Sequence, residues 1–137
     1  AFNPVLASSL NNLSNRLSEL GRREKGLKAG EEAVDLYRKL AAQRPDAFNP
    51  DLAVSLGAMH QVLVGMGREK EAYRIIREGV EILRPMFLKL PPAFAQLMGM
   101  LVRAYGQLAE SLSEKPDAEL LGPIVKAFER LEKEKEG

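Results

Sequence analysis

Along this chain apolar residues return every three or four positions, and the returns come in blocks. Leu6, Leu10, Leu13, Leu17 and Leu20 form one block; Leu52, Leu56, Met59, Leu63 and Met66 form another. That spacing lines one face of an α-helix. Each block is bounded by helix signals. Asn3-Pro4 opens the first: Asn caps a helix N-terminus, and Pro is tolerated at the first helical position, where its missing N–H costs nothing. Gly21 closes it, because glycine enters the left-handed C′ conformation without a Cβ clash. By the same logic Asn49-Pro50-Asp51 opens a helix that closes at Gly67. Between them a helix starts near Arg23, carries Leu27, Ala33, Val34, Tyr37 and Leu40, and is expected to end at Pro45. Its counterpart runs from about Glu69 through Ala72, Ile75, Ile76, Val80 and Leu83 until Pro85 interrupts or kinks it. A fifth helix is read over about 93–113. Lys115-Pro116-Asp117 then turns the chain, and Gly122-Pro123 divides the remainder into a short turn and a last helix from Pro123 to about Lys135.

The blocks repeat as words as well as patterns. Residues 1–4 read AFNP and residues 47–50 read AFNP again. Sliding the chain by 46 positions also matches Leu6 with Leu52, Ser9 with Ser55, Leu17 with Leu63, Gly21 with Gly67, Arg22 with Arg68, Arg38 with Arg84 and Pro45 with Pro91. A further shift lands on Ala93-Phe94, a worn copy of the word. Periods of this length signal units that bury their apolar faces on their neighbours. Residues 1–137 therefore read as one domain of three helix pairs, in units 1–46, 47–92 and 93–137. The last is degenerate and ends in alternating Lys and Glu, as a capping unit does. AFNP is the expected joint between units, with Phe48 tucked beneath it. The first residue is not Met, and the chain is expected to be a piece of a longer protein.

Composition narrows the function classes. Twenty Lys and Arg against 19 Asp and Glu leave a formal charge of +1. Nucleic-acid binding rests on a surplus of cations meeting phosphates, and none is available. No cysteine is present and His60 is the single histidine. Thiolate metal sites, Cys nucleophiles and His-based triads are thus hard to assemble, and neither a metal, a cofactor nor an enzymatic activity is expected. No apolar run approaches the ~18 residues of a membrane span. Glu31 and Glu32 are adjacent and point about 100° apart on a helix, so they read as solvated rather than as an acid–base pair. Arg22, Arg23 and Arg68 stand where they can meet helix C-terminal carbonyls. The most apolar stretch, residues 86–102, reads as core between units two and three, with a Met-rich docking surface as the weaker alternative. Tyr37, Tyr73 and Tyr105 are spread over the units.

The run SLNNLSNRLSELGRREKGLKAGEEAVDLYRKLA, residues 9–41, resembles tetratricopeptide repeats, most closely the long-repeat form found in kinesin light chains and large bacterial signalling proteins. Leu10, Leu13, Ser14 and Leu17 match the first-helix pattern, as do Leu56, Met59 and Leu63, then Val102, Tyr105 and Gly106. Gly21 and Gly67 match the inner turn, and Gly26, Ala33, Ala72 and Gly79 the small residues at the helix crossing. The resemblance covers residues 1–92 well and 93–137 loosely. It implies an all-α, right-handed superhelical solenoid whose first helices line a concave groove for a peptide or protein partner, in a cytoplasmic scaffold. The implied groove positions are Ser8, Asn11, Asn12, Asn15 and Ser18; Val54, Gly57, Ala58, Gln61 and Val64; and Met100, Arg103, Ala104, Gln107 and Glu110. Of these Asn11, Asn12, Asn15, Ser18, Gly57, Gln61, Arg103 and Gln107 are the expected partner-binding set. Asn and Gln both donate and accept, which suits an extended peptide backbone. The chain departs from the family's carboxylate-gripping set, matching it at Asn15 but not at Asn11, Ala58, Met100 or Ala104. His60 stands where the family packs a small residue, so an interhelix hydrogen-bonded role is expected for it. The alternative is self-association through an uncovered N-terminal edge, by repeat stacking or as a homodimer, using Leu6, Leu10, Leu27 or Val34.

Overall fold

The computed structural model describes residues 2–136. Six helices follow one another: α1 (Pro4–Glu19), α2 (Arg23–Gln43), α3 (Pro45–Gly65), α4 (Glu69–Lys89), α5 (Pro91–Ser111) and α6 (Ala118–Glu136). From α1 to α5 each helix packs on the next, and α6 packs on both α4 and α5. The 46-residue period is carried into the backbone: α2 and α4 are offset by it at both ends, and so are α3 and α5.

The inner turns obey the same period. At Gly21 (φ 80°) and Gly67 (φ 75°) the chain turns left-handed, and Ser113 (φ 56°) does so at the third equivalent position. Each turn closes with the same two bonds. Arg22, Arg68 and Glu114 donate their N–H five residues back, to Leu17, Leu63 and Ala109, while the left-handed residue itself donates three back. This is the Schellman arrangement, which satisfies carbonyls that the helix end would orphan.

Prolines are where the sequence expectation needs correcting. At the start of the chain AFNP behaves as read: Asn3 accepts hydrogen bonds from the N–H groups of Val5 and Leu6, and Pro4 is the first helical residue. At 47–50 the same word lies inside α3, because Pro45 takes the first helical position and the helix starts a turn earlier. Asn49 is not a cap, and AFNP is not the joint. The joint is a single residue, Arg44, which ends α2 and begins α3. Leu90 does the same between α4 and α5. Pro85 and Pro123 also lie within continuous helices, so neither α4 nor α6 is broken. Each interior proline removes one bond to the carbonyl four residues back. Those residues are Asp46, Glu81 and Glu119, all exposed, where water can satisfy the freed oxygen.

The core forms two adjoining clusters. Val34, Tyr37, Leu40 and Ala41 of α2 close over Leu52 and Leu56 of α3, with Phe48 packed at the edge. Ile76, Val80, Leu83 and Phe87 of α4 meet Met98, Leu101, Tyr105 and Ile124 of α5 and α6. The 86–102 stretch is thus core at Phe87 and Met98, but Met100 is exposed. Leu27 and Val34 are core residues, at 4% and 1% exposure, and cannot serve an edge interface as expected. Where α1 crosses α2 the helices are close enough that Ser14 Oγ donates to the Gly26 carbonyl at 2.6 Å. The last unit is fastened by a polar relay. Asp117 caps α6 by accepting from Glu119 and Leu120, its other oxygen meets Arg77 at 2.7 Å, and its own N–H donates to the Tyr105 hydroxyl. Tyr105 also accepts from Tyr73, on which it stacks at 5.2 Å, so two of the tyrosines read as scattered are one pair.

Candidate functional site

A hollow of about 780 Å3 opens between α1, α3 and α5. α3 and α5 each contribute residues three, four and seven apart, and α1 residues three and four apart, one stripe per helix. Asn15, Ser18 and Glu19 come from α1. Val54, Gly57, Ala58 and Gln61 come from α3, and Leu97, Met100, Leu101, Arg103, Ala104 and Gln107 from α5. Because these helices are offset by the repeat, equivalent positions meet around one space. Asn15, Gln61 and Gln107 stand 46 residues apart, so each first helix offers one exposed primary amide from the same register position.

Of the expected partner-binding set, Asn15, Ser18, Gly57, Gln61, Arg103 and Gln107 line this hollow. Asn11 and Asn12 do not: Asn11 is half-buried, and Asn12 is exposed further round α1. Ser8, Val64 and Glu110 also lie outside the lining. The small residues at Gly57 and Ala58 keep the floor open, and a Cβ on Gly57 would stand 3.6 Å from Leu101 Cδ2.

Three ionisable side chains of the lining were not expected from the sequence: Glu19, Arg23 and His60. Arg23 opens α2 just beyond the Gly21 turn and reaches the end of α3. Its Nε would lie 3.1 Å from a Cβ placed on Gly65. No sequence signal marks that reach, since it depends on how two turns stack. With Arg103 it gives the hollow two guanidiniums against the single carboxylate of Glu19. Arg68, by contrast, turns to Glu71 in two bonds of 3.0 and 2.8 Å rather than to helix carbonyls.

His60 is half-buried, and its Nδ1 lies 2.6 Å from the Gly57 carbonyl within its own helix, not across an interface as expected. A carbonyl only accepts, so Nδ1 carries the proton and Nε2 the lone pair. Burial holds its pKa below the ordinary histidine value, with the Gly57 bond opposing that shift. The imidazole is therefore neutral near pH 7. Among the described residues no three His, Asp or Glu side chains converge as metal ligands, and no helix is long and apolar enough to cross a membrane.

The lining can form hydrogen bonds through three amides, contact apolar groups through Val54, Leu97, Met100 and Leu101, and attract negative charge through Arg23 and Arg103. Comparison with known families, curated proteins and solved structures finds no match.

Proposed function

We propose that this chain is a non-catalytic protein–protein interaction module of tetratricopeptide-like, right-handed superhelical architecture, working as part of a cytoplasmic scaffold. Its partner is a protein segment that lies extended in the hollow between α1, α3 and α5. The observation that carries this reading is the amide series Asn15, Gln61 and Gln107, one per first helix, around a single opening. An extended backbone presents unpaired N–H and C=O groups at regular intervals, and a primary amide answers either. Val54 and Met100, both exposed large apolar residues, supply shallow contacts for side chains between those bonds.

The test is a selection of random peptides on the wild-type protein, followed by affinity measurement on the triple variant Asn15→Ala, Gln61→Ala, Gln107→Ala. Each lost hydrogen bond is worth about 0.5–1.5 kcal/mol, so binding should fall at least about tenfold while helicity is unchanged. Enrichment of no peptide, or of peptides that bind the triple variant equally well, refutes the reading.

A further inference from the structure

Charge is shared unevenly between the odd and even helices. α1, α3 and α5 carry two charged residues each (Arg16 and Glu19, Asp46 and Asp51, Arg103 and Glu110), against nine on each of α2, α4 and α6. Yet α3 and α5 expose Val54, Val64 and Met100. Depletion of charge marks the core of an interface, so the few charges that remain around the hollow bear on what it accepts.

The cations collect at one end. Arg23 and Gly65 belong both to the hollow and to an adjoining one that opens over the first turn, where Arg22, Glu24 and Lys25 stand. The repeat shows these cations to be a departure. At the second turn Arg68 is paired with Glu71 at 2.8 Å. One repeat earlier Arg22 takes the place of Arg68, but Lys25 takes the place of Glu71 and Arg23 that of Glu69. Among the described residues Arg22, Arg23 and Arg103 form no salt bridge. α2 also begins at Arg22 without a side-chain cap, so the positive end of that helix adds to the same field.

We infer that the segment bound in the hollow is acidic, with one carboxylate side chain held over the first turn by Arg22 and Arg23 and a second held by Arg103. This rests on the reading of the hollow as a docking site for an extended protein segment, and adds that segment's chemistry. Arg23 lies against Gly65, whereas Arg103 is the repeat equivalent of Gly57 and this part of α5 lies beside it, Leu101 Cδ2 standing 3.6 Å from a Cβ placed there. The eight residues from Gly57 to Gly65 span about 12 Å of helix. Helical side chains lean toward the N-terminus, so Arg103 reaches away from Arg23. A chain terminus supplies one carboxylate, but two places this far apart need two. An extended chain advances about 3.3 Å per residue and returns to the same side at every second one. Asp or Glu residues four apart therefore fit.

Arrays of random peptides, joined to the support through their C-termini, test this. Peptides captured by the wild type should be enriched in Asp and Glu, most strongly in pairs four residues apart. Released as C-terminal amides, they should bind Arg103→Gln, and the double variant Arg22→Gln, Arg23→Gln, about three- to tenfold more weakly than the wild type. Arg130→Gln, the same loss of charge at an exposed site on α6, should change nothing, and wild-type affinity should fall as salt rises. Captured peptides without acidic residues, bound less well by the variant Asn15→Ala, Gln61→Ala, Gln107→Ala, overturn the acidic assignment and leave the docking reading in place. Arginine variants that bind as the wild type does, equal weakening by Arg130→Gln, or binding lost on amidation of the peptide C-terminus overturn it too. Where an arginine variant loses helicity, salt dependence decides: an affinity indifferent to salt overturns the assignment. Capture of no peptide overturns both readings.

Discussion

Replacing Gly26 by Ala probes the α1–α2 crossing directly, because two opposing effects of known size act there. An added Cβ would stand 2.5 Å from Ser18 Oγ, 3.0 Å from the Ser14 carbonyl oxygen and 3.2 Å from the Ser18 backbone nitrogen. A serine hydroxyl can rotate away, but two of these three atoms are backbone of a regular helix. The helices must part, and overpacking of this kind costs about 1–3 kcal/mol. Separation also lengthens the 2.6 Å bond from Ser14 Oγ to the Gly26 carbonyl, a further loss of about 1 kcal/mol. Against both stands the helical preference of Ala over Gly, about 1 kcal/mol. The net is a destabilisation of about 1–3 kcal/mol. For a chain of this length 1 kcal/mol moves the melting temperature by roughly 3–4 °C, so Tm should fall by about 3–10 °C in thermal unfolding followed by far-UV circular dichroism. Gly106→Ala is the matched control. Gly106 is also helical, but a Cβ there meets nothing within 4 Å, so only propensity acts and Tm should rise by up to about 3 °C. If Gly26→Ala is as stable as Gly106→Ala, the close crossing is wrong.

Ser113 holds a left-handed φ of 56° where the equivalent turns have glycine. Ser113→Gly removes a strain of about 1–2 kcal/mol and adds unfolded-chain entropy of about 0.5–1 kcal/mol, so urea unfolding should show a net gain of about 0.5–1 kcal/mol. His60 gives a pH signature. Its folded pKa is lowered by burial, so below about pH 6.5 the unfolded chain binds a proton that the folded chain resists. The contribution is fully present above that pH and is lost as pH falls towards the folded pKa; His60→Gln should therefore lose less stability on acidification than the wild type. Equal slopes for the two proteins would contradict the buried, neutral ring.

Helix number and period were legible because apolar spacing and the Gly turns act locally, and both are dense in this chain. Helix boundaries were legible at Pro4 and Pro45 but not at Pro50, Pro85 and Pro123. A proline reads as a helix boundary, start or stop, yet its cost inside a helix depends on whether the carbonyl four residues back can reach water. At Pro50, Pro85 and Pro123 that residue is acidic and exposed, a cue visible in the sequence only once the helix is known to continue. The leucines of α1 show a second limit. Their spacing marks an apolar face, but Ala7 and Ser14 are the buried residues of that helix: Ser14 packs closely on Gly26 and Gly30, and Ala7 sits in the cluster of Val34 and Tyr37. Most of the hollow followed from register, since equivalent positions on repeated helices face the same way. Arg23 and His60 did not follow, as each enters through a turn or a local carbonyl bond that periodicity does not encode.

The most direct measurement is amide chemical-shift mapping of the wild-type protein during titration with a selected peptide, at a concentration where the chain is monomeric. Docking in the hollow should shift side-chain and backbone signals at Asn15, Gln61, Arg103 and Gln107 that saturate together, with α1 unmoved at Leu6 and Leu13. Shifts gathered on the leucine stripe of α1, or on the charged outer face of α6, would place the partner elsewhere and contradict the assignment of the hollow as the docking site.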